Sequence, residues 1–548
     1  LNINYLASLI SLNDKNKFTA IFIVMFGVAI STVSFDGLFD RFNDPKWLIF
    51  DIFTIGLICF SIIKKLKLTI SYLSGLLIVC IVYMFLSALW SPNAFESISF
   101  SLRFTCFVYS IYILATLFNK DLMLEFFIDC VFFSSLIFCI ILIYQRYIAG
   151  IPYSYTSFSP IGFVNYLGQV LNIWIPVLVL SIYRHRSSKF RLILGLLSLF
   201  ILMNLLVESG TRGTILGLLF AEITILIVLS VRTKKFPFKY IVVSVVLLSA
   251  IFSFSLLKEL GGETLLRQIN SIQKLDTGRE EVFANTLDMI ADNPMGVGSG
   301  NFQFIHAKYG KMGTSDSSPH ISQYRAIISP YNIILKFYSE LGLIFGSALF
   351  FVFLYCFFVA FNNFLKGNYI DVWIFMAVFS TSFHAMFSSV FLTPVSLFFS
   401  LILFSVVFSR AENNAALFKV EKKYLYLILF FLIFFIAVLR AAEASSNYLA
   451  VTGSKMGDVN AIEKSININP YNYKAFNRCS YLYLNKEVDY KSAVNCFERE
   501  LEIYPYNVLT MISLARIYFK LGEFEKFELY KNKVLDIYPN NELVLSIK

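Results

Sequence analysis

The chain has 548 residues, 57% of them hydrophobic and only 15% charged, with a formal net charge of +10 and a mean hydropathy of +0.69. A soluble protein carries nearer a quarter charged residues, so this composition excludes a water-soluble globular enzyme and indicates an all-α, polytopic helical membrane protein. The basic excess does not indicate nucleic acid, because the lysines and arginines stand in short loops between apolar runs, where they act as topological signals.

Apolar runs of about 20 residues predict about thirteen transmembrane helices. They lie near 18–36, 47–63, 68–89, 102–118, 123–145, 161–183, 190–208, 213–231, 240–257, 333–361, 369–390, 392–409 and 424–440. The first run has spanning length with no small-residue cleavage site after it, so no cleavable signal is expected. Lys64, Lys65 and Lys67 follow the second span, Arg184, Arg186, Lys189 and Arg191 the sixth, Arg232, Lys234, Lys235 and Lys239 the eighth, and Arg410, Lys419, Lys422 and Lys423 the twelfth. The opposite loops hold only the scattered Arg41, Lys46, Arg103, Arg146 and Arg212. The positive-inside rule then puts the N-terminus in the cytoplasm, and the long 258–332 loop and the C-terminal tail outside. Six of the eight cysteines lie in or beside apolar runs, and no pair has zinc or CxxC spacing, so neither a metal site nor a cofactor is expected.

The segment around Arg212, Val207–Leu216, reads VESGTRGTIL at the outer junction of two apolar runs. A guanidinium there suits bidentate contact with phosphate, and the flanking glycines let an anionic head group approach the backbone; a snorkelling interfacial arginine is the plainer reading. In DTGREEVF, a short amphipathic helix is predicted to begin near Thr277, to carry Arg279 and to stop at Pro294. GVGSG follows, but no strand precedes it, so it is not a dinucleotide fingerprint.

After the last span charged residues return, and three segments recur: NPYNYKAF at 469–476, YPYNVLTM at 504–511 and YPNNELVL at 538–545. The prolines Pro470, Pro505 and Pro539 are spaced like those of the tetratricopeptide repeat, a helix pair per unit that presents a concave surface to a protein partner. Two domains are therefore predicted: 1–440, transmembrane with the 258–332 outer loop, and 441–548, a helical-repeat tail.

VESGTRG after one span, GR(x)3F and DNPMGVGSGNF in the long outer loop, and YNIILKFYSELGLI opening the next span occur in that order. Together they resemble the O-antigen ligase/polymerase family of lipid-linked-glycan transferases, which includes protein O-oligosaccharyltransferases; GFVNYLGQ with Asn165 is also similar to a family segment. The resemblance implies a GT-C-like membrane fold. It implies transfer of a glycan from undecaprenyl diphosphate to a glycan, lipid A core or protein hydroxyl, without metal, at the periplasmic face of the bacterial inner membrane. It also implies that Arg212 and Arg279 hold the diphosphate. The family's histidine stands in an H-[N/S/Q] pair that is Tyr331–Asn332 here, so the catalytic candidates become Tyr331, Asn332 and an imidazole from elsewhere in the loop, His320 first and His306 second. His185 is read as cytoplasmic, and His384 is set aside as lying within a span. A scaffold or transporter of polysaccharide export is the alternative class.

Overall fold

The computed structural model describes residues 14–66, 69–151, 154, 157–233, 279–310, 327–410, 418–419 and 422–547. The membrane part comprises α1 (Asp14–Thr32), α2 (Asn43–Ile63), α3 (Tyr72–Leu86), α4 (Ala94–Leu117), α5 (Lys120–Ile143), α6 (Val164–Arg184), α7 (Lys189–Ser209) and α8 (Arg212–Thr233). The long polar loop contributes α9 (Arg279–Asp292) and α10 (Phe302–Ile305). There follow α11 (Ile333–Leu365), α12 (Tyr369–Ala385), α13 (Pro394–Ser409) and α14 (Lys422–Met456). Twelve of the thirteen predicted spans coincide with these helices, and the 240–257 run lies outside the described residues. Among the described residues, nine helices are long and apolar enough to cross a membrane. Asparagine and serine side chains cap several of them, as Asn93 does for α4 and Asn119 for α5, satisfying amide donors that the first turn leaves open.

Contacts sort the loops onto two ends. At the basic end Arg184 pairs with Glu125, Arg410 with Asp371 at 3.1 Å, and Arg232 donates to the Leu365 carbonyl at 2.8 Å. There too β1 (Thr69–Ile70) and β2 (Phe418–Lys419), two residues each, pair antiparallel across the loops after α2 and α13. His185, beside Glu125, belongs to this end. At the other end Lys46 donates to the Pro160 and Ile161 carbonyls at 2.8 and 3.0 Å, and Lys455 to that of Asp36 at 2.9 Å. These ends alternate as the basic loops predict.

The core centres on α6, which carries the fully buried Trp174, and on α13, buried from Pro394 to Val407. The short α13 lies inside the helical bundle, which explains why it can be apolar all round. Arg440 on α14 is clamped by Asp51 at 3.0 Å and by Ser99 and Glu443, while Arg103 reaches Glu443 at 3.3 Å. Buried charges need such partners, and this set ties α14 to α2 and α4.

Beyond the membrane helices lie α15 (Val459–Ile468), α16 (Tyr473–Leu482), α17 (Tyr490–Ile503), α18 (Val508–Leu521), α19 (Phe524–Ile537) and α20 (Glu542–Leu545). They pack in sequence order as pairs: the end of α14 with α15, α16 with α17, and α18 with α19. The helix α14 runs unbroken through residue 441, where the sequence reading sets the boundary between domains. The long polar loop packs on this tail: the Phe304 ring makes edge contacts with Tyr473 and Tyr504 at 5.5 and 5.1 Å.

Candidate active site

The site is built where α6, α8 and α12 approach at the non-basic end. Gly213 and Gly217, one turn apart, allow α8 to lie against α12. A Cβ on Gly213 would sit 2.5 Å from His384 Cδ2, and one on Gly217 2.8 Å from the Ser380 carbonyl oxygen. Small residues at this spacing let helix backbones touch in a membrane. On α6, Gly168 sits under Thr211 and Thr214 in the same way, at 2.6 Å from each hydroxyl to a Cβ that is not there. Pro176 cannot donate to the carbonyl of Asn172, and Ser380 Oγ donates to it instead at 3.0 Å.

His384 stands at the centre of this contact. Its Nδ1 lies 2.7 Å from the Asn172 amide nitrogen and 3.3 Å from Thr214 Oγ1. Its Cδ2–Nε2 edge lies over Gly213. Arg212 follows at once: Gly210, with φ 59°, ends α7 in the left-handed conformation, and α8 starts at Arg212, which is exposed. The nearby Glu208 is held by Arg146 at 2.8 Å.

Arg279 opens the described part of α9, which ends at Asp292 just before Asn293–Pro294, where the sequence reading stops it; the expected start near Thr277 lies outside the described residues. Its guanidinium carbon lies 5.6 Å from the centroid of the Tyr331 ring. Tyr331 has φ 55°, a conformation that holds a non-glycine residue at about 1–3 kcal/mol of strain. Strain of this size persists where surrounding structure imposes it, here Ser329 Oγ accepting from the Tyr331 amide at 3.3 Å. Asn332 caps α11: its Oδ1 accepts from the Ile334 and Leu335 amides at 2.9 and 3.0 Å, and its Nδ2 donates to the Met386 carbonyl at 3.2 Å. Both ends of that side chain are thus occupied in fixing the start of α11 against the end of α12.

The glycine-rich loop has a structural task. The helix α11 is broken at Gly342, φ 73° and ψ −175°, and the loop docks into the break. Leu343 donates to the Pro294 carbonyl, and Val297 and Gly298 donate to those of Ser339 and Glu340, all at 3.0 Å. A Cβ on Gly296 would lie 2.5 Å from the Gly342 nitrogen, so neither glycine can carry a side chain. The buried Glu340 accepts from the Gly300 amide at 3.0 Å and from Lys336 Nζ at 2.5 Å. This latch sets the height of α9, and with it Arg279, against α11.

Of the residues expected from the sequence, the structure brings together Arg279 and Tyr331, and it places Arg212 one residue from the glycine on which His384 rests. His320 lies outside the described residues. His306 is buried against Phe302, with ring centroids 4.9 Å apart, and burial lowers its pKa to about 4. His384, set aside as lying within a span, stands at the non-basic end of α12, two residues before its C-cap Met386. The GxxxG spacing of Gly213 and Gly217 is the sequence signal that marks α8 as a close-packing surface.

Residues 196–351 match the family model described as O-antigen ligase. The chain carries an O-antigen ligase domain. This ligase segment runs from α7 through α8, the outer loop and the first part of α11, and so includes Arg212, Arg279 and Tyr331; Asn172 and His384 lie outside it. No curated protein matches the chain. The family and the helical architecture together make this a multi-pass membrane protein with a ligase- or polymerase-type role.

Proposed function

We propose that the protein transfers a glycan from a polyprenyl diphosphate, undecaprenyl diphosphate in bacteria, to an acceptor hydroxyl at the periplasmic face of the inner membrane. What supports this reading is that Arg279 lies over Tyr331 at the start of α11, that the adjoining Asn332 donates to the end of α12, and that His384 on α12 packs on the Gly213 next to Arg212. A diphosphate leaving group departs once its charge is neutralised, and guanidinium forks neutralise it without a metal. Arg212, exposed at the start of α8, meets the head group from one side, with the helix N-terminus adding its favourable dipole. Arg279 meets it from the loop side, and the Tyr331 ring fixes that guanidinium by stacking beneath it.

Two features favour transfer over transport. Asp51 and Asp371 pair with Arg440 and Arg410 between helices instead of lining a path. The tail, with the spacing of a tetratricopeptide array, grips the protein's own outer loop through Tyr473 and Tyr504, so its role here is to hold that loop over the site. The acceptor is a glycan or lipid A core, with a protein hydroxyl as the alternative.

The test uses the purified full chain in nanodiscs with labelled undecaprenyl-diphosphate-linked glycan and each acceptor class. Arg212→Lys and Arg279→Lys keep the charge but lose the fork, and each is expected to lower kcat/KM by about tenfold to a hundredfold, alanine by more. Normal transfer by both alanine variants sinks the diphosphate clamp. Movement of the lipid across the bilayer without transfer identifies a transporter. His320→Ala tests the loop histidine expected from the sequence.

A further inference from the structure

We propose that His384 is the catalytic base: its Nε2 takes the proton of the acceptor hydroxyl as that oxygen attacks the anomeric carbon. The inference rests on the transferase reading above. The acceptor oxygen forms a bond to the anomeric carbon, and the bond from that carbon to the diphosphate oxygen breaks. The electron pair leaves with the polyprenyl diphosphate, and the acceptor proton passes to the imidazole and then to water. Such a step needs a neutral group of moderate basicity within reach of the diphosphate. A tyrosine, with an ordinary pKa near 10, is a poor acceptor of protons at neutral pH, and an imidazole is a good one.

The geometry places an imidazole there and holds it. His384 is 3% exposed, so its ring position is set by its neighbours. Asn172 from α6 and Thr214 from α8 both meet Nδ1. With the Asn172 amide turned oxygen-first, its Oδ1 accepts the Nδ1 proton, and the lone pair remains on Nε2. That nitrogen lies on Gly213, where a Cβ would stand 2.9 Å away, and the next residue back is the exposed Arg212. The exposed Arg212 adjoins that glycine in the chain, and Arg279 lies over the Tyr331 ring at the start of α11, whose next residue Asn332 holds the end of α12. A diphosphate held by these two arginines would bring its sugar carbon to the Nε2 side of the ring. Three helices far apart in sequence thus build one fixed base beside the anion site, and two of the three contributions, Asn172 and His384, lie outside the ligase-family segment.

The experiment compares wild type, His384→Ala, His384→Gln and His320→Ala in nanodiscs, measuring binding of undecaprenyl diphosphate and single-turnover glycan transfer separately. Loss of a general base is expected to lower the transfer rate by about 10²–10⁴-fold while binding of the lipid diphosphate stays within a few-fold. Added imidazole should restore part of the rate to His384→Ala and none to the arginine variants. Gly213→Ala, whose new methyl group displaces the ring, should lose rate without losing the imidazole. His384→Gln transferring at the wild-type rate overturns the assignment, even if the alanine variant fails to fold. Rate loss in His320→Ala with imidazole rescue there instead also overturns it. If wild type binds no lipid diphosphate and transfers nothing, the transferase reading itself falls, an outcome distinct from either of these.

Discussion

Gly342→Ala attacks the latch between the outer loop and α11. At φ 73° and ψ −175° the backbone lies where residues other than glycine are strained, by about 1–3 kcal/mol, and the new methyl would sit 2.5 Å from the Met295 carbonyl carbon. Backbone cannot yield at that distance, so the cheaper escape is release of the loop. Release forfeits the three backbone hydrogen bonds from Leu343, Val297 and Gly298, worth about 0.5–1.5 kcal/mol each, together roughly 1.5–4.5 kcal/mol. It also leaves Glu340 without its Gly300 donor, inside a site where it is 2% exposed. The expected variant keeps its membrane helices but has a loosened 292–302 segment. Limited proteolysis should cut there first, and transfer should fall because Arg279 is no longer held at Tyr331. Protease resistance and thermal stability equal to wild type would refute the idea that the loop is locked into the break.

Three further tests address other parts of the chain. Burial raises the pKa of Glu500 to about 7, so between pH 4.5 and 7 the folded tail keeps a proton that the unfolded chain has lost, and stability falls as pH rises through that window, by roughly 3 kcal/mol at most. His306, lowered to about 4, acts with the opposite sign between pH 4 and 6.5; melting curves should therefore rise with pH in Glu500→Gln and fall in His306→Phe, and identical curves would discount both groups. Reporter fusions at Lys366 and Lys548 should report opposite compartments, cytoplasmic and periplasmic, because the first belongs to the basic end and the second to the tail; the same compartment for both contradicts the two-ended arrangement. Cys479 and Cys496 share one buried cluster, so mild oxidation should link them within one chain, visible by mass spectrometry without reduction; two thiols that stay free under that treatment exclude the pairing.

The spans were legible because a helix crossing hydrocarbon needs an apolar run of fixed length, and such runs are plain in the sequence. The outer helix was legible for a local reason, since Pro294 must stop it. What escaped was set by contacts distant in sequence. His384 reads as one more residue in an apolar run, and only the meeting of Gly213 with α12 and of Asn172 with Nδ1 makes it part of a polar site. The break in α11 is hidden likewise: ELGLI reads as continuous helix, and the residue that opens it is glycine because of Pro294 and Met295, about fifty positions earlier. Asn332, singled out for chemistry, also caps α11, a task that its place before an apolar run does not by itself reveal.

The helix α14 passes without a break from the membrane into the tail, 35 residues from Lys422 to Met456, a rod of about 52 Å at 1.5 Å per residue. Hydrocarbon accounts for about 30 Å of it, so some 20 Å stand clear of the bilayer core as a rigid stalk. A stalk of this kind has a phase as well as a length. One residue inserted between Glu443 and Met456 would turn everything beyond it by about 100° and swing Tyr473 and Tyr504 off Phe304. Seven inserted residues would bring the angle nearly back but lift the tail by about 10 Å, out of reach of the loop. The tail is therefore indexed to the site by the screw of a single helix, and its register there is as specific as that of a gear tooth.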